Sequence, residues 1–125
     1  MRAAAERANI SERTVFRYFA SRDEFLDAVA DEIGARLALP PPPGSVDELK
    51  GAPQALYRAF EANVRLTKAA LHSEIFHRIS ESSAKERWLA VCRIIDEIAP
   101  RRSEHDQKIA AANIRYYLTA STWHY

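Results

Sequence analysis

The chain has 125 residues, of which 47% are apolar and 28% charged, with a formal charge of +1 and one cysteine. That length suits one compact domain, or a domain with a small appendage, and the near-neutral balance excludes a globally basic nucleic-acid binder, so any electrostatic signal has to be local. A lone cysteine excludes an internal disulfide, and no apolar run approaches the ~20 residues that span a bilayer, so a cytoplasmic protein with no membrane partner is expected.

Periodic segments repeat at three and four residues, and no sustained alternation with turn pairs marks a strand, so the expected fold is all-α. The opening "RAAAERA" offers Ala4, Ala5 and Ala8 as a face small enough for another helix to cross closely. Asn9 stands where the chain must reverse, and asparagine is one of the few non-glycine residues that tolerate positive φ. Ile10 is expected to pack into the elbow, and Ser11 to cap the next helix by accepting its orphan amides.

Projected at ~100° per residue, "ERTVFRYF" turns Val15 and Phe19 inward, Phe16 and Tyr18 to the flanks, and Arg13, Thr14 and Arg17 outward. A short helix with a fully used inner face and two outward arginines is shaped for a DNA major groove, where arginine pairs bidentately with guanine. Residues 1–22 carry five arginines against two glutamates, a local charge of +3 that favours phosphate.

Ser21 and Glu24 then form a capping box for a helix over 22–39, with Phe25, Val29, Ile33 and Leu37 on one stripe and Leu26 and Ala30 widening it. "PPPPGS" stops that helix, because proline lacks a donor and clashes with the preceding turn; residues 40–52 read as a stiff connector. Beyond it, Leu56, Phe60, Val64 and Leu71 trace a second stripe, leading into a short segment with Ile75, Phe76 and Ile79. The polar cluster "SESSAKE" at 80–86 is expected to separate that segment from a helix bearing Trp88, Leu89, Cys92, Ile95 and Ala99 on one face, which Pro100 ends. Ser103 caps a last helix, with Asp106 at the box position and Ile109, Ala112, Tyr116, Ala120 and Trp123 facing one way, and it runs to Tyr125 without a stop signal.

Catalytic chemistry finds little support, and no enzyme, cofactor or metal site is expected. His72 and His77 are five apart and cannot share a helical face with Glu74 as an i, i+4 metal pair would. The "SESS" serines have no neighbouring base or glycine-rich elbow, and three scattered glycines build no phosphate loop. Cys92 reads as a small buried apolar residue.

The stretch "AERANISERTVFRYFASRDEF" closely resembles the DNA-binding signature of TetR-family bacterial transcriptional regulators, with Asn9 in place of the usual turn glycine, Phe16 of a tyrosine and Arg22 of a lysine. The resemblance implies a homodimer with an N-terminal helix-turn-helix over 1–39, including the connecting helix, and a helical effector-binding and dimerisation domain over 53–125. It implies double-stranded operator DNA as partner and a small effector, apolar or aromatic from the composition, whose binding tilts the helix 22–39 and releases a repressor. By the same resemblance Glu12, Arg13 and Arg17 read bases, Thr14, Tyr18 and Arg22 touch phosphates or orient the recognition helix, Ser11 caps it, and Phe16 packs, with at most apolar contact to a thymine methyl. The family places one helix before Met1 and another after Tyr125, so Ala4, Ala8, Val15, Phe19 and Phe25 are expected to be unusually exposed. A helical ligand-binding or interaction fragment without competent DNA binding is the alternative reading.

Overall fold

The computed structural model describes residues 1–124, the side chains of 82 and 83 excepted; Tyr125, the expected end of the last helix, lies outside the described residues. Helices follow in the order α1 (Arg2–Arg7), α2 (Glu12–Tyr18), α3 (Arg22–Leu37), α4 (Val46–Ala62), α5 (Val64–Leu71), α6 (Ile75–Ile98), α7 (Glu104–Tyr117) and α8 (Ala120–His124). No strand occurs among the described residues, and the fold is all-α.

One device starts four of these helices. The hydroxyls of Ser11, Ser21, Ser45 and Ser103 accept the amides of Thr14, Glu24, Glu48 and Asp106 at 3.1, 3.1, 3.2 and 3.1 Å, satisfying donors that the first helical turn leaves orphaned. Glu24 and Glu48 close the box from the other side, but on the amide one residue earlier than the cap: Ala20 and Gly44 each donate at 2.6 Å.

Helix ends and junctions depart from the expected boundaries. α3 stops at Leu37, two residues early, with Ala38 at φ 47°; Leu39 precedes Pro40, and a residue before proline is pushed out of the helical region. α4 begins at Val46, inside the segment expected as connector, and carries Pro53 within it at the loss of one backbone bond to the Leu49 carbonyl. At Asn63, φ −131° and ψ 41° break the expected second stripe into α4 and α5 and leave Val64 exposed. The buried Thr67 hydroxyl spans that break, donating toward the carbonyls of Asn63 at 3.1 Å and Phe60 at 3.3 Å.

"SESSAKE" does not interrupt the chain. α6 is continuous from Ile75 to Ile98, and α3 and α7 are its principal neighbours. Three apolar clusters form the core. Leu26 and Ala30 of α3 meet Ile75 of α6, Leu56 and Phe60 of α4 meet Ala120 of α8, and Val91 and Ile95 of α6 meet Ala111 of α7. The last helix is therefore rotated from expectation and divided at Leu118. Ile109 and Tyr116 are 48% and 60% exposed and Ala112 is exposed, while Ala111, fully buried, lets α7 approach α6 closely. Leu89 faces solvent on α6, and Cys92 is half-buried instead of buried.

Candidate nucleic-acid interface

Six residues make α1, and the way it ends sets the direction of α2. Ala8 closes the helix, Asn9 takes φ 54°, the Ile10 amide donates to the Ala5 carbonyl at 3.0 Å and the Asn9 amide to Glu6 at 3.2 Å. This paired closure is the Schellman arrangement, in which a left-handed residue just past the helix satisfies two orphan carbonyls. Asparagine holds the left-handed position where glycine is usual. Ile10 itself is 45% exposed and does not fill the elbow; the alanine face leaves the crossing too shallow to take it.

α1 and α2 pack on each other and bury one residue apiece, Ala5 and Val15, the latter at 5% exposure. Phe19, just past α2, stacks edge-on against Phe25 of α3, ring centroids 5.3 Å apart at 78°. The side chains expected to lie unusually exposed therefore do not: Val15 is buried, Ala4, Phe19 and Phe25 are half-buried, and only Ala8 of the five is exposed. Small residues at the crossing and the aromatic pair at the exit seal the unit locally.

The opposite side of α2 is open. Ser11, Arg13, Thr14, Phe16 and Arg17 line one shallow hollow on it. Phe16 and Tyr18 are exposed, as are Glu12, Arg13 and Arg17. Among the described residues no carboxylate pairs with Arg13 or Arg17. The Arg17 guanidinium instead lies 5.3 Å from the centroid of the Tyr18 ring, a cation–π contact that restrains the side chain without neutralising it. Thr14 is bound to the cap, its Oγ1 2.8 Å from Ser11 Oγ, which fixes the rotamer of both hydroxyls. Glu12 sits in the first turn, where a carboxylate complements the helix dipole.

Arg22 stands apart from the others, at the start of α3. Its Nη2 pairs with Glu74 just ahead of α6. Nearby on α6, Arg78 donates to Asp23 at 2.6 Å and Asp27 at 2.5 Å, both on α3. Hydrogen bonds to Asp27 and then Asp23 push the Arg78 pKa further above its usual value. These pairs tie the opening unit to α6 across 51 to 55 residues of sequence, a separation at which charge patterning carries no signal. Glu74 thus serves an ion pair, and among the described residues no group of three histidine, cysteine or acidic side chains is placed to hold a metal.

Residues 1–29 match the family model described as bacterial regulatory proteins, tetR family. The opening unit is similar to the DNA-binding segment of TetR-family regulators. The match spans α1, α2 and the first half of α3, so the TetR-family segment coincides with the capped, outward-facing arginine helix and its support. The match covers the first 29 of 125 residues and supports a DNA-binding helix-turn-helix in that stretch. No curated protein and no solved structure matches it. No helix among the described residues is long and apolar enough to cross a membrane.

Proposed function

We propose that α2 enters the major groove of a double-stranded operator, with Glu12, Arg13 and Arg17 at base edges, and that the chain is a repressor released by a small effector. What carries this reading is the pair of exposed, uncompensated arginines on a short helix whose cap and inner face are already satisfied. Thr14 and Tyr18 contact phosphates beside them, and Phe16 offers apolar contact to a thymine methyl. Arg22 has five donors, enough to hold Glu74 and a phosphate together.

Residues 1–39 then act as the DNA-binding region, and the helices of 53–125 as the part that holds the effector and a second copy. A largely apolar cavity among α3, α4, α5, α6, α7 and α8 supports the first role. The exposed stripe Ile109, Ala112 and Tyr116 on α7 supports the second, since a homodimer would cover it and set two recognition helices ~34–36 Å apart. The working compartment is the cytoplasm, where the operator is.

Fluorescence anisotropy with labelled duplex DNA at several salt concentrations tests the central step. Binding weakens steeply with salt, and the Arg13→Ala/Arg17→Ala variant binds more weakly than the wild type at every salt concentration. Undiminished binding by that variant overturns the reading and favours a helical ligand-binding fragment. In the same samples, sedimentation shows a dimer that Ile109→Glu converts to monomer; a wild-type monomer refutes the paired arrangement.

A further inference from the structure

The stripe of α6 formed by Phe76, Ser80, Ala84, Arg87 and Val91 faces one cavity of ≈ 100 Å³. Spacing of four, four, three and four residues keeps all five on one side of the helix. Large apolar residues occupy its two ends, and two small residues and an arginine its middle. This explains both the polar look of the segment in sequence and the void: Ser80 and Ala84 stand where a core helix ordinarily presents leucine. Leu56, Phe60 and Leu118 complete apolar walls, and Arg115 of α7 joins Arg87 at the lining.

Two guanidinium groups at an apolar cavity are costly. Burial holds the Arg87 pKa below its usual value, the nearby Arg115 charge lowers it further, and Glu86 offsets this in part. Arginine does not shed its proton at physiological pH, so both guanidiniums stay charged and an anion between them would relieve the repulsion that Glu86 offsets only in part. No acidic residue lines the cavity, and among the described residues no carboxylate pairs with Arg115.

We propose that this cavity binds a compact monocarboxylate, its apolar body among Leu56, Phe60, Val91 and Leu118 and its carboxylate shared by Arg87 and Arg115. This rests on the effector-released reading and names the class of that effector. Size limits the body. A dry cavity of about 150 Å³ takes up benzene, so ≈ 100 Å³ here suits a body smaller than a ring, an aliphatic chain of about three to four carbons. A phosphate monoester is disfavoured, because a dianion loses far more hydration than two guanidiniums return beside an apolar wall.

The site is connected to the opening unit. Arg87 Nη2 donates to the Pro40 carbonyl at 2.8 Å, and Leu37 and Leu39 also line the cavity. A carboxylate arriving at Arg87 competes with the Pro40 carbonyl while the ligand body presses on the end of α3, the helix that leads directly from the recognition unit. Ligand binding therefore favours a different seat for α3.

Isothermal titration of the full chain without DNA, using butanoate, pentanoate and pentanol as probes, tests the site. Butanoate or pentanoate binds measurably and pentanol at least about tenfold more weakly. Arg115→Met, which keeps the apolar stem, removes that preference, and Arg115→Lys retains part of it. Equal binding of pentanol and pentanoate, binding of neither acid, or an acid preference that survives Arg115→Met overturns the proposal. Carboxylate binding that leaves DNA affinity unchanged supports the site and overturns only the effector-released reading.

Discussion

Replacing Val15 with alanine probes the brace behind the recognition helix. Val15 is 5% exposed and is the buried residue of α2, as Ala5 is of α1. The substitution removes two carbons from water-excluded space, a loss of about 1.6 kcal/mol at ~0.8 kcal/mol per methylene, before any cavity term is added. Because α1 and α2 pack chiefly on each other, that loss falls on local opening of the unit and leaves global unfolding nearly untouched. At 1.4 kcal/mol per factor of ten, the open population rises roughly fifteen-fold. Native-state hydrogen exchange reads this directly. The Phe19 amide, bonded to the Val15 carbonyl at 3.0 Å, should exchange roughly fifteen-fold faster, while amides around Val91 and Ile94 in α6 keep their rates. Equal acceleration in α6 would show that the opening unit has no separate stability, and no acceleration at Phe19 would show that Val15 braces nothing.

Two further outcomes follow from single positions. Ala38 holds a left-handed backbone at φ 47°, a conformation that costs a residue with a Cβ about 1–2 kcal/mol. After the extra chain entropy of glycine is deducted, Ala38→Gly should stabilise by about 0.5–1 kcal/mol, seen as a higher urea midpoint with unchanged slope; a lower midpoint refutes the strain. At Cys92, burial first and Asp96 second push the thiol pKa up, with Lys108 opposing. The thiolate fraction is therefore smaller at a given pH than in the unfolded chain, and the pH–rate curve for alkylation should be displaced to higher pH relative to that of the urea-unfolded protein. A folded-state midpoint at or below the unfolded one on the pH axis contradicts that environment.

Local features of the opening unit were legible because every interaction that sets them spans three to five residues. The Ser11 cap, the left-handed Asn9 and the inward phase of Val15 all depend on side chains and amides within one turn of each other. Serine capping at Ser21 and Ser103 was legible for the same reason. The family match over residues 1–29 falls on this stretch.

α7 carries two apolar stripes, Ile109–Ala112–Tyr116 and Ala111–Ile114–Leu118, and the sequence ranks the first higher because its side chains are larger. Packing chose the second, since the absence of bulk at Ala111 admits close approach to Val91 and Ile95, a gain that hydrophobicity read residue by residue does not register. The continuity of α6 was hidden in the same way. Residues 80–86 look like a break because their inward positions, Ser80 and Ala84, are small, and only the neighbouring walls of α4 and α7 reveal that those positions border a cavity. The ties from Arg22 to Glu74 and from Arg78 to Asp23 and Asp27 likewise exist only once α3 lies on α6. Short-range bonding is written in the order of residues; which faces meet, and what space remains between them, is settled by contacts between segments far apart in the chain.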